Sequence, residues 1–355
     1  MTRQDEGLAF MLRYENIVWY EDGAVRILDR RVYPAKTEFV TCRTHQEVAK
    51  AIKDMVTQSA GPYTAAPMGM ALAAWECRNM NENAQREYLK NAAETISHAR
   101  PTTAKRMQIV CGEALKAAEA ALACGRSTCD AIVERVVEMN NERYAQIGRI
   151  ADHLTAKFPQ SGTVMTHCFA ETIIGMMLRK CREDGKNIRL FCNETRPYFQ
   201  GARLTATCCR DMGFDVTVIT DNMAAFVMKN EKVDVFTTAA DAICCDGHVV
   251  NKVGTFQNAI SAKYLGVPYY VTGAPDPGHP TVDTVTIEMR DPEDALYAMG
   301  VRTAAKDGVK GYYPAFDITP PELVTGVATD IGILSPYELN TYFERTGANA
   351  NRVVV

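Results

Sequence analysis

The 355-residue sequence has no run of about 18 consecutive apolar residues, the length a helix needs to cross a bilayer, so no membrane span is expected. Its opening, MTRQDEGLAFMLRYEN, lacks the basic flank and apolar core of a secretion signal, and a cytoplasmic location is the expectation. Excess charge is missing too: 39 Lys and Arg against 43 Asp and Glu leave a net charge of -4, too little to build the basic face by which nucleic-acid binders grip phosphates. No nucleic-acid partner is expected, and an anionic ligand must be held by a local pocket. No G-x-G-x-x-G follows the first strand-like run of the second half, and no G-x-x-x-x-G-K-[S/T] occurs, which removes the best signatures of dinucleotide use and of P-loop phosphate transfer. No two C-x-x-C units stand at zinc-site spacing, although there are 12 cysteines. Without an export signal these are expected to be free thiols, most of them small core residues. A reaction without metal or organic cofactor is the economical reading.

What is present is ordinary globular material, 47% hydrophobic and 23% charged with no biased tract, and long enough for about two domains. The patterning changes once along the chain. Ile17 to Tyr20, the turn Glu21-Asp22-Gly23, and Val25, Ile27 and Leu28 read as a hairpin. Thr44 with Glu47 forms a capping-box pattern, after which Val48, Ile52, Met55 and Val56 recur at helical spacing over three turns. Further helical patterns run over about 82–98, 103–123 and 127–157. Beyond Phe158-Pro159-Gln160-Ser161-Gly162, short apolar strands at 163–166, 188–192, 216–220, 233–237 and 267–272 alternate with helices. That alternation predicts βαβ crossovers and a parallel sheet with helices on both faces. The expected architecture is α/β: a mainly helical N-terminal domain with an opening hairpin, 1–157, followed by a Rossmann-like parallel-sheet domain, 158–355.

In such sheets ligands bind beyond the carboxyl ends of the strands. Cys168 stands where a strand gives way to a helix, a setting in which the helix dipole lowers a thiol pKa; the plain alternative is a spectator thiol. Asp241 follows an apolar strand with small residues at its end, where partial desolvation would raise a carboxyl pKa and suit it to proton transfer; the plain alternative is a turn or N-cap aspartate. Together they make an acid/base pair without a histidine, better suited to moving protons than to hydrolysis. Arg196, Gln200 and Arg203 around a helix start offer a hold for a phosphate or polyol, structural ion pairing being the equal alternative. His167 is read as structural, because neighbours in a strand face opposite sides.

Five motifs, in order and spacing, resemble the methylthioribose-1-phosphate isomerase family, which is related to ribose-1,5-bisphosphate isomerases and to regulatory subunits of the initiation-factor exchange complex. They are Thr166-His167-Cys168, Glu194-Thr195-Arg196-Pro197, the run from Gln200 to Ala206, Asn251-Lys252-Val253-Gly254-Thr255, and the run from Pro314 to Pro320. The resemblance spans roughly residues 40–336. It implies aldose-to-ketose conversion of a C1-phosphorylated sugar without a cofactor, in a homodimer. By position it assigns catalysis to Cys168 and Asp241, and substrate binding to Arg100, Gln200, Asn251, Lys252 and the loop Gln58-Ser59-Ala60. A water-excluding lid is expected from the helical half. The alternative is a non-catalytic binding or regulatory subunit of the same fold.

The chain departs from the family pattern at four places. Its phosphate loop begins with arginine where this chain has Gln58. Phe169-Ala170-Glu171 replaces asparagine-alanine-glycine after the cysteine, Ala242 replaces an arginine after the aspartate, and Tyr313 replaces an asparagine. These changes spare the acid/base pair and alter what surrounds it, so the chemistry is expected to be kept and the exact sugar to differ.

Overall fold

Local signals in the first half act as read. In the computed structural model, which describes residues 3–100 and 104–347, a short helix α1 (Tyr14–Ile17) leads into strands β1 (Val18–Glu21) and β2 (Ala24–Leu28). The two pair antiparallel with Glu21 opposite Ala24. The loop is therefore Asp22-Gly23, both at positive φ (47° and 76°), the two-residue turn whose twist matches paired strands. Strand β3 (Phe39–Cys42) adds to β2.

Helix α2 (His45–Lys53) opens as expected: the Thr44 hydroxyl accepts the Glu47 N–H at 3.2 Å, and the Glu47 carboxylate reaches back to the Arg43 N–H at 2.6 Å. It ends before Met55 and Val56, shorter than the apolar spacing predicts. Met55 turns left-handed at φ 59°, and the Met55 and Val56 N–H groups return to Ile52 and Ala51 carbonyls at 3.2 and 3.1 Å, a C-terminal cap that keeps Val56 on the apolar face. Helix α3 (Gly61–Cys77) was not predicted. It carries Pro62, Pro67 and Gly69, and it is buried nearly all round, so neither composition nor amphipathic period marks it. Gly69 is required by packing, since a Cβ there would stand 2.9 Å from Val48 Cγ1 and 3.1 Å from Ile96 Cδ1. Helices α4 (Glu82–Ser97), α5 (Ala104–Ala123) and α6 (Thr128–Thr155) follow; the expected start of α5 at Thr103 lies outside the described residues.

The chain divides into two compact units, Met1–Ala145 and Gln146–Val355. The second is built on strands β4 (Ser161–Thr166), β5 (Asn187–Asn193), β6 (Asp215–Ile219), β7 (Val235–Ala239), β8 (Ala242–Ile243), β9 (Val249–Lys252), β10 (Tyr269–Thr272), β11 (Tyr297–Ala298), β12 (Val301–Arg302), β13 (Phe316–Thr319), β14 (Gly326–Thr329) and β15 (Gly332–Leu334). Its helices are α7 (Thr172–Glu183), α8 (Ala206–Asp211), α9 (Ala224–Asn230), α10 (Thr255–Leu265), α11 (Glu293–Leu296) and α12 (Tyr342–Thr346). The main sheet has the order β15-β14-β10-β7-β4-β5-β6 and is parallel except for the β14–β15 pair. The five predicted strands are its β4, β5, β6, β7 and β10. Between β7 and β10 the chain makes more than a helix: β8 and β9 join β13 in a small antiparallel sheet. Met165, Phe236, Tyr269 and Val271 are among the buried core residues of this unit, with the Phe236 and Tyr269 rings stacked at 4.6 Å.

From β4 the chain winds outward through β5 and β6, then crosses back to β7 and winds the other way through β10 and β14. The order therefore reverses between β4 and β7, and a crevice opens beyond their carboxyl ends at such a switch point.

Candidate active site

Cys168 and Asp241 follow β4 and β7, the two strands that flank this switch point. The backbone at Cys168 is left-handed, φ 65°, and is clamped from both sides. Its N–H donates to the Thr195 hydroxyl at 3.0 Å, and its carbonyl accepts from the Thr205 hydroxyl at 2.5 Å. Thr195 is fixed in turn, because the Asp221 carboxylate accepts the N–H groups of Thr195 and Arg196 at 2.8 and 2.7 Å. Thr205 closes a widened helical turn, Gly201–Thr205, that passes so near β5 that a Cβ on Gly201 would fall 1.8 Å from the Asn193 carbonyl oxygen. The family-like motifs at 194–197 and 200–206 thus hold the thiol by its peptide.

The thiol is not the depressed one expected from a helix start. Although solvent reaches part of Cys168, burial is the largest influence and pushes it up to about 11, with Lys252 pulling it down and Asp241 pushing it further up. The helix begins only at Thr172, and the dipole falls off within a turn. Cys168 is a neutral thiol near pH 7. All twelve cysteines are free and nine are buried, as expected of core thiols. Asp241 is exposed where the apolar strand before it suggested partial burial, and its N–H donates to the Val250 carbonyl at 2.8 Å.

Lys252 carries the buried charge of the site. It is 4% exposed, donates from Nζ to the Ala315 carbonyl at 2.9 Å and lies 4.4 Å over the Phe316 ring. Burial lowers its pKa, and the negative charge that Cys168 carries when ionised acts in the opposite sense, which puts the two groups within electrostatic reach of each other. Asn251, also buried, donates to the Thr255 hydroxyl at 3.0 Å. β9 and β13 are in register with Asn251 opposite Asp317 and Lys252 opposite Phe316. The Asp317 carboxylate then caps α10, accepting the Gly254 N–H at 2.6 Å and the Phe256 N–H at 3.2 Å, while burial raises its pKa to about 6. Gln200 is 9% exposed, and its Oε1 has no hydrogen-bond partner.

Other residues take structural places. His167 is buried, its Nε2 3.0 Å from the Val253 carbonyl, and burial lowers its pKa. Arg203 donates to the Tyr198 carbonyl and Arg196 to that of Ala295. Phe169 and Glu171, which replace smaller family residues, are both buried. Gln58, Ser59, Ala60 and Arg100 belong to the helical unit. Gln58 is buried and Ser59 exposed at φ 55°; Arg30, wholly buried, donates to the Gln58 carbonyl at 2.6 Å, so the loop has a guanidinium behind its backbone rather than on its own side chain.

Sequence reasoning missed Arg290. Its Nε donates to the Glu288 carboxylate at 2.9 Å, and its guanidinium lies 5.7 Å over Tyr198 and 5.6 Å over Phe316. Its charge also reaches Cys168. It comes from an irregular stretch with no periodic signal to mark it. Among the described residues, no three of His, Cys, Asp and Glu gather as metal ligands would, and no helix is long and apolar enough to cross a membrane.

The second unit is thus a doubly wound α/β sheet with a thiol, a carboxylate and a buried amine gathered near its switch point. The chain belongs to the Initiation factor 2 subunit family, which it matches over residues 59–336. It is 34% identical over 342 residues to the methylthioribose-1-phosphate isomerase of Thermotoga neapolitana, covering 92% of this chain and 96% of that one. To the protein of the same name from Chloroflexus aurantiacus it is 36% identical over 335 residues, covering 90% and 95%. Among solved structures it resembles the 5-methylthioribose 1-phosphate isomerase of Pyrococcus horikoshii (TM-score 0.80, 28% identity, 94% and 96% covered). It equally resembles translation initiation factor eIF-2B, subunit delta, of A. fulgidus (TM-score 0.80, 31% identity, 90% and 95% covered). Identity of this extent to the isomerases makes the chain an isomerase.

Proposed function

We propose that this isomerase interconverts the aldose and ketose forms of a C1-phosphorylated pentose, 5-methylthioribose 1-phosphate or a close analogue such as 5-deoxyribose 1-phosphate. The observation that carries the reading is the placement of Cys168 and Asp241 on the two strands flanking the switch point, with Lys252 acting on both sides of the pair. The anomeric oxygen of such a sugar is esterified, so the ring must open first. Asp241 protonates the ring oxygen as the C1–O4 bond breaks and afterwards takes the proton from O2. Cys168, neutral and beside an ammonium, serves the hydrogen that leaves C2 and arrives at C1. Gln200, Asn251 and Lys252 hold the sugar.

The test is turnover of methylthioribose 1-phosphate, 5-deoxyribose 1-phosphate and their unphosphorylated forms. Conversion of none of them would favour the second reading, a binding or regulatory subunit, which the likeness to the eIF-2B subunit supports. A homodimer formed through the sheet-bearing unit is part of the proposal. Tyr264, Phe226 and Ile260 on α9 and α10 stand 88%, 69% and 47% exposed, and light scattering giving a monomer at micromolar concentration would contradict it.

A further inference from the structure

Tyr313, where the family pattern has asparagine, lies inside the site rather than beside it. Its ring meets Tyr198 edge-on at 6.0 Å, its carbonyl accepts the Arg290 N–H at 3.0 Å, and two residues on the Ala315 carbonyl holds Lys252. The residue is 3% exposed, and its hydroxyl, with the Arg290 guanidinium as a hydrogen-bonding neighbour, finds no acceptor for its own proton among the described residues. Arg290 is near enough for its charge to act on the phenol, but a guanidinium can only donate, so it offers nothing to the phenolic O–H. A buried donor left without an acceptor is costly, and such a group in a binding site is completed when a ligand oxygen arrives.

Which oxygen follows from the chemistry of the proposed substrate, on which this inference rests. O1 carries the phosphate, O2 and the ring oxygen belong to Asp241, and C1 and C2 are served by Cys168, whose thiol is within electrostatic reach of Tyr313. The non-reacting hydroxyl next to that carbon pair is O3. We propose that Tyr313 is a specificity-determining residue, its hydroxyl donating to the C3 oxygen of a C1-phosphorylated pentose. A site built to bond a substrate hydroxyl rejects the analogue that lacks it, because its own polar group is then stranded.

The test compares wild type with Tyr313→Phe, each assayed for kcat/KM on 5-deoxyribose 1-phosphate and on its 3-deoxy counterpart. Removing O3 should cost the wild type about tenfold or more, Tyr313→Phe should lose about as much on the parent sugar, and removing O3 should cost the variant little further. Equal sensitivity to O3 in both proteins overturns the inference. Tyr313→Phe leaves no cavity, and Arg290 keeps its Glu288 partner, so its melting temperature should change by no more than a few degrees. If wild type turned over neither sugar, the isomerase reading would fail separately. Calorimetric affinities of both proteins for both sugars would then supply the same comparison, equal O3 sensitivity or no binding by wild type overturning the inference.

Discussion

The two places to which substrate contacts are assigned are built differently. The strand-end site of the second unit draws Cys168, Gln200, Lys252, Arg290 and Tyr313 from five separate stretches, and of these Gln200, Lys252 and Tyr313 are buried. The loop at Gln58-Ser59-Ala60 has no charged side chain of its own and is held from behind by Arg30. The first keeps the five motifs that resemble the family's but changes residues around them, at Phe169, Glu171, Ala242 and Tyr313, while the second loses the arginine of the phosphate loop to Gln58. Groups that move protons must keep their positions within fractions of an ångström, whereas a phosphate grip can shift its charge from one residue to another.

That contrast breaks first at the acid/base pair. Cys168→Ser and Asp241→Asn should each lower turnover by at least ~10²-fold, the scale of losing a positioned proton-transfer group, with unchanged circular dichroism; near-normal turnover in a folded variant would remove the pair from the mechanism. Next comes the state of the thiol. Since burial raises the Cys168 pKa to about 11, the reactive thiolate fraction grows about tenfold per pH unit up to that value. Mass-spectrometric alkylation rates at Cys168 should rise about tenfold between pH 9 and 10, and a rise of less than about twofold over that interval would show an ordinary thiol. The smaller effect belongs to the loop. If the grip is only weakened, Gln58→Arg should lower the KM for methylthioribose 1-phosphate several-fold, the difference between a charge-assisted and a neutral hydrogen bond. We expect instead a flat or raised KM, because four places depart together and point to an altered sugar; a large fall for this substrate alone would contradict that.

Much of this arrangement was legible before any coordinates. The five central strands announce themselves as apolar runs because a sheet covered on both faces needs them, and the rule that ligands bind beyond the carboxyl ends of such strands puts Cys168 and Asp241 among the candidates; the strand order that singles out β4 and β7 is visible only in the fold. Helix α3 was illegible because burial on all sides erases the amphipathic period and because Pro62, Pro67 and Gly69 read as breakers. The electrostatics were illegible for another reason. Whether Cys168 is raised or lowered depends on how much protein surrounds its sulfur and on cations from β9 and from the stretch before β13, none of which is near it in sequence. Asp241 illustrates the same point in reverse, since an apolar strand before it did not bury it.

The left-handed backbone at Cys168 has a consequence for how such a molecule can change over generations. For any residue with a Cβ that conformation costs about 1–2 kcal/mol, which glycine avoids while giving up roughly 0.5–1 kcal/mol of chain entropy. The clamps from Thr195 and Thr205 hold only the peptide and are indifferent to the side chain. Cys168→Gly should therefore melt within a few degrees of wild type while losing turnover, and a drop beyond ~10 °C, several kcal/mol for a chain of this size, would disprove it. Cysteine and glycine codons differ by one nucleotide. Under the proposed role of Cys168, a lineage can thus abandon the reaction in a single step and keep an intact scaffold.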